Sequence, residues 1–187
     1  SLWYEQQQNL REAIQHALAA RCFDRAAELI ERAAEATMMV SEVATLGLWV
    51  ESLPPAILQA HPLLCLYDAG ALLLAGQRTE LAEARLRDGL SNGDHAGLGG
   101  QMAVYQALSA TLQGRNAQSI MLAQRSLELL PERSPFFRSM ASLILACDTL
   151  FTGDDELAAQ RLREALSLSD EVGNMMNSVL ARAHLAE

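Results

Sequence analysis

The chain has 187 residues, half of them hydrophobic, a fifth charged and only 5% aromatic. That is enough to bury a core of ordinary domain size or to build a row of small stacked units, and it excludes both a disordered chain and an all-β one. Fourteen basic residues against 23 acidic ones leave a net charge of −9, a surface that repels phosphate backbones, so direct binding of nucleic acid is not expected.

All fourteen basic residues are arginine. Without lysine there is no Walker A loop and no Schiff-base chemistry. Cys22, Cys65 and Cys147 are an odd number at wide spacing with no CxxC pair, which reads as buried free thiols in a reducing compartment. No apolar run reaches the ~18 residues of a membrane span, and Ser1-Leu2-Trp3-Tyr4-Glu5 is not the basic stretch and apolar core of a secretion signal. A cytoplasmic location without membrane contact is expected, and the start at Ser1 suggests a piece excised from a larger protein.

Along the chain, apolar residues recur at three and four positions, from Leu10, Ile14, Ala17 and Leu18 to Leu157, Leu162 and Leu166, which is the helical period. No stretch alternates like a strand. Breakers divide the pattern into helices at about 2–7, 10–20, 24–38, 42–52, 62–75, 79–91, 98–113, 116–130, 135–151 and 154–169, with a last one from about 172. Pro62 and Pro135 sit at first helical positions, where a missing N–H costs nothing, and Gly76, Gly114 and Gly153 sit where a helix must stop. Asp154, Asp155 and Glu156 place negative charge at the positive end of the following helix dipole.

Those three glycines fall 38 and 39 residues apart. Five and twelve positions beyond Gly114 stand Ser119 and Ser126, and beyond Gly153 Ala158 and Ala165. With one inserted residue Gly76 leads to Ala82 and Gly89; Arg21 leads to Ala26 and Ala33, and Gln8 to Ala13 and Ala20. Seven positions before the turns stand Ala69, Ala107 and Ala146. Small residues in register let paired helices approach to about 8–10 Å. That is the tetratricopeptide (TPR) logic, with a repeat longer than the ~34 residues of the standard form. The expected fold is all-α: a right-handed superhelix of about five TPR-like antiparallel helix pairs, an α-solenoid, in a single domain over residues 1–187.

Catalytic signatures are missing. His16, His61, His95 and His184 are scattered, without an HxxxH or HExxH spacing, so no metal is expected. In Gly97-Leu98-Gly99-Gly100, Met102 stands where a GxGxxG motif needs its last glycine, and residues 91–100 read as a connecting loop. No GxSxG elbow appears, and no enzyme or cofactor is expected in this segment. A stack of helix pairs offers instead a concave groove lined by the first helix of each pair. Helix phase places Tyr67, Gln101, Tyr105, Gln106 and Asp148 on that side. Tyr67 and Tyr105 are one repeat apart and could present rings and hydroxyls to a ligand; alternatively both pack between repeats. Trp49, spaced with Leu46 and Leu53, reads as core.

Certain strings are familiar. Residues 12–20 (Glu-Ala-Ile-Gln-His-Ala-Leu-Ala-Ala), 25–31 (Arg-Ala-Ala-Glu-Leu-Ile-Glu), 49–54 (Trp-Val-Glu-Ser-Leu-Pro) and 61–64 (His-Pro-Leu-Leu) together resemble the helical-repeat region of MalT-type, ATP-dependent LuxR-family transcriptional regulators. The resemblance runs in order over roughly residues 3–90, and beyond it the chain has generic repeat character. Arg21 and Ser41 stand where that pattern has glycine.

The resemblance implies a repeat domain set between a nucleotide-binding switch module and a carboxy-terminal helix-turn-helix. Such a domain is a sensor that binds a small inducer or a regulatory protein. No family site residue maps onto this sequence. A generic interaction scaffold without a small ligand is the alternative, and homodimers through the uncapped ends, Trp3-Tyr4 and residues 175–185, are a further expectation.

Overall fold

The structure, a computed structural model, describes residues 2–76, 79–91, 97–150 and 155–186, except for the side chains of residues 2–8 and 89–91. The sequence readings at His95, Gly153 and Asp154 lie outside these residues, as do those that concern the side chains at Trp3, Tyr4 and Gly89. Among the described residues there are eleven α-helices and no strand: α1 (Leu2–Ala19), α2 (Phe23–Met39), α3 (Val43–Glu51), α4 (Pro55–Ala60), α5 (Pro62–Leu74), α6 (Thr79–Ser91), α7 (Gly99–Leu112), α8 (Asn116–Leu129), α9 (Pro135–Leu150), α10 (Asp155–Val172) and α11 (Met175–Leu185). None is long and apolar enough to cross a membrane.

Most boundaries fall within two residues of those read from the sequence, and the exceptions have local causes. The break expected near residue 8 is absent: α1 runs through Gln6-Gln7-Gln8-Asn9, which contains no glycine or proline to stop it. The helix α4 was not expected. Pro54 is extended and Pro55 occupies the first turn, so proline starts a helix of six residues that is too short to show a period. Glycines 99 and 100 belong to α7 rather than to the loop before it.

One turn device recurs. Arg21 and Ser41 have φ of 55° and 63°, and Gly76, Gly114 and Gly173 have 67°, 70° and 72°. At Arg21 the N–H of Cys22 reaches the carbonyl of Ala17 at 2.9 Å and that of Arg21 reaches Leu18 at 3.0 Å. The same pair of bonds closes the turns at Gly114, from Arg115 to Ala110 and from Gly114 to Thr111, and at Gly173, from Asn174 to Ser169 and from Gly173 to Asp170. This is the Schellman closure, in which a left-handed residue lets the chain satisfy the last helical carbonyls and turn back. Arginine and serine therefore adopt the conformation that glycine takes at the other turns.

The chain divides into two compact units, Ser1–Met38 with Glu42–Asp94, and Met39–Ser41 with His95–Glu187. In the first, α5 packs against α6, α3 and α4, and Leu46, Trp49 and Leu53 are buried as their spacing implied. In the second, α7 packs against α8 and α9, α8 against α9, and α9 and α10 against each other and against α11. Leu143, Ala146, Leu162, Ala165 and Ala181 form a core there, with Leu185 packed against it. The small-residue columns are buried in both units: Ala26, Ala33, Ala69 and Ala82 in the first, Ala107, Ser119, Ser126, Ala146, Ala158 and Ala165 in the second. They fail at α1, where Ala13 is half-buried and Ala20, just past its end, is exposed, because residue 8 is not a turn and the helix buries Ile14 and Ala17 instead.

Candidate functional site

Each of the five residues placed on a groove by helix phase has a definite setting. Tyr105 is 0% exposed and meets Phe137 edge to face, with ring centroids 5.7 Å apart, a favourable quadrupole geometry. Tyr67 is buried too, and its hydroxyl donates to Oε2 of Glu35 at 3.4 Å. Gln101 is half-buried, and with its amide turned to donate it reaches the carbonyls of Gly97 at 2.8 Å and Leu98 at 3.2 Å, tying down the start of α7. Gln106 is half-buried. Asp148 is 0% exposed.

In the first unit, polar side chains join α2 to α5 and α5 to α6. Glu31 and Glu35, one helical turn apart on α2, meet Nδ1 of His61 at 3.1 Å and the hydroxyl of Tyr67. Burial pushes the Glu35 carboxyl above its ordinary range, against the pull of the Tyr67 hydrogen bond, and burial together with the Glu35 charge raises the Tyr67 phenol. Asp68 on α5 accepts from Nε of Arg85 on α6 at 2.8 Å. Burial raises the Asp68 carboxyl and the guanidinium pulls it back. These contacts tie helices together.

In the second unit, the Thr111 hydroxyl on α7 lies 2.6 Å from that of Ser119 on α8 and donates to Oδ2 of Asp148 on α9 at 3.4 Å. Oδ1 of Asp148 has no hydrogen-bond partner among the described residues. Burial raises this carboxyl, and the hydroxyls of Ser119 and Thr111 offset part of the effect. The neighbouring Cys147 thiol is pushed up to about 11, first by burial and then by the Asp148 charge, so it is a poor nucleophile. Of the other thiols, Cys65 is buried but Cys22 is exposed, against the expectation of three buried ones, because it lies just past the Arg21 turn.

An open groove of about 370 Å³ lies between α8, α9 and α10 of the second unit. Gln124 and Leu127 line it from α8, Ser142 and Leu145 from α9, and Leu157, Gln160, Arg161 and Glu164 from α10. None of the five phase-selected residues is among them. Three arginines are half-buried among the described residues. Arg85 is paired with Asp68, Arg138 donates to the carbonyls of Leu127 and Leu130, and Arg161, in this groove, makes no hydrogen bond or ion pair among the described residues. Sequence reasoning passed over it because helix phase was applied to the first helix of each pair, whereas the charged lining comes from α10, the second of its pair.

Among the described residues no group of three or more histidine, cysteine, aspartate or glutamate side chains is placed to hold a metal ion. No known protein family, curated protein or solved structure matches the chain.

Proposed function

We propose that the chain is an effector-sensing helical-repeat module of the kind found in MalT-type LuxR-family regulators. In this reading its helix pairs continue as a right-handed superhelix, it binds a small inducer or a regulatory protein, and it passes the binding event to neighbouring NTPase and helix-turn-helix modules. The observation that supports it most is the repetition of one unit of construction. The same left-handed closure follows α1, α7 and α10, small buried residues recur on matching helices, and the second unit carries an open groove of mixed polarity. An effector acts by binding one arrangement of the helices more tightly than another, since only differential affinity shifts populations.

Thermal-shift and calorimetric screening of the purified chain against small carbohydrates and metabolites tests this. A saturable rise in Tm with at least one compound supports the sensor; no shift across the panel overturns its small-inducer form.

A second reading, a scaffold that associates through its last helix, is favoured by the outer face of α11, where Met175 and Val179 are 61% and 63% exposed with Leu180 beside them. Under it, Val179→Glu abolishes dimers seen by light scattering, whereas a monomeric parent chain rejects it.

A further inference from the structure

The groove between α8, α9 and α10 has a composition that specifies a ligand class. Each helix contributes one leucine, Leu127, Leu145 and Leu157 in turn, so the apolar lining is shared by all three walls. The charged lining comes from α10 alone: Arg161 and Glu164 stand three residues apart, side by side on one helix face, yet they are not paired with each other. Glu164 accepts one bond, from the neutral amide of Gln160 at 3.1 Å, which leaves most of its lone pairs unused. Arg161 is half-buried without an acceptor among the described residues, in a chain that has 23 acidic residues.

We propose that this groove binds a small zwitterion with an apolar side chain, such as a free aliphatic α-amino acid, with its carboxylate on Arg161, its ammonium on Glu164 and its side chain against Leu127, Leu145 and Leu157. The inference rests on the effector-sensing reading and names the ligand class for it. A simple anion would meet the Arg161 guanidinium but be repelled by Glu164; a simple amine faces the reverse conflict. A neutral polyol satisfies neither charge and gains nothing from three leucines. A molecule carrying both charges a few ångströms apart satisfies both groups at once, and Arg161 offers two N–H groups in the fork that carboxylates fit. The volume lies near the low end of the range for small-molecule sites, ~300–1,000 Å³, which suits a single amino acid rather than a folded peptide. Gln124, Ser142 and Gln160 supply further neutral donors and acceptors around the rim.

Isothermal titration of the chain with leucine, valine and methionine tests the proposal, with 4-methylpentanoate, 3-methylbutylamine and glycine as controls that each lack one of the three features. At least one of the amino acids is expected to bind, about tenfold or more tighter than every control. Arg161→Met, which keeps the apolar stem, and Glu164→Gln are each expected to weaken that binding about tenfold or more, as loss of a charged hydrogen bond does. Both variants should retain the parent's circular dichroism and Tm. Equal binding of leucine and 4-methylpentanoate overturns the zwitterion. If the amino acids fail while another compound raises Tm equally in the parent and in Arg161→Met, this inference falls and the sensing reading stands. If no compound of either panel binds, this inference and the small-inducer form of the sensing reading both fall.

Discussion

Gly100 shows how one missing methyl group can decide a packing distance. A Cβ there would lie 2.9 Å from Cγ and Cδ2 of Leu130 and 3.0 Å from its backbone nitrogen, so the start of α7 approaches that residue only because glycine is present. Gly100→Ala is expected to cost about 1–3 kcal/mol through overpacking. Gly47, inside α3 with nothing within 4 Å of its would-be Cβ, should behave oppositely, and Gly47→Ala should gain about 0.5–1 kcal/mol; urea unfolding of the two variants checks both. Arg21 and Ser41 hold left-handed backbone at φ of 55° and 63°, which is disfavoured for a residue with a Cβ. Arg21→Gly and Ser41→Gly should each stabilise by up to about 1 kcal/mol, since relief of the backbone penalty outweighs the extra freedom of the unfolded chain. Asp148 titrates against the fold. Its carboxyl is raised by burial, so its contribution to stability is complete below the unfolded carboxylate range and declines as pH rises through the folded value. Asp148→Asn should therefore raise Tm at neutral pH, with the difference disappearing in acid; a variant less stable than the parent at pH 7 would contradict this.

At the scale of elements, α5 and α6 are joined by an ion pair in which Asp68 is nearly enclosed, its side chain 7% exposed against 29% for Arg85. Removing the cation leaves a buried carboxylate alone, so Arg85→Met is expected to cost about 3–5 kcal/mol at neutral pH. The loss should shrink as pH falls and Asp68 takes up a proton, because burial already holds that carboxyl above its ordinary range; thermal unfolding from pH 7 to 4 measures it. Much of the helix plan was legible beforehand. Long periodic segments such as α8 and α9 announced themselves, and Pro62, Pro135, Gly76 and Gly114 marked their ends where the structure has them. What could not be read was local or lateral. The helix α4 has too few residues to show a period, and the glutamine run in α1 contains no signal to stop or continue. The groove was harder still: helix phase identifies which residues share a face, but not which faces are covered. Tyr105 meets Phe137 in the interior, while Arg161 on the groove wall has no partner among the described residues.

On the scale of the whole molecule, the second unit is built from neighbours. Its principal contacts join each helix to the next in the chain, or α9 to α7 and α11. Closing each hairpin costs little loop entropy because the connections are short, and such local topologies reach the native state in milliseconds or less; stopped-flow refolding of residues 95–187 within the full chain, followed through a probe at Phe137→Trp, is expected to show a dominant phase on that timescale. The recurring left-handed closures carry a consequence for how the unit comes apart. The α7–α8 and α10–α11 hairpins are each clasped by their own two backbone bonds, so α11 can peel from α9 and α10 while the clasp at Gly114 stays shut. Amide exchange should accordingly be graded, faster in α11, whose principal contacts are with α10 and α9, than in α9, which packs against α7, α8, α10 and α11, like a seam that opens tooth by tooth.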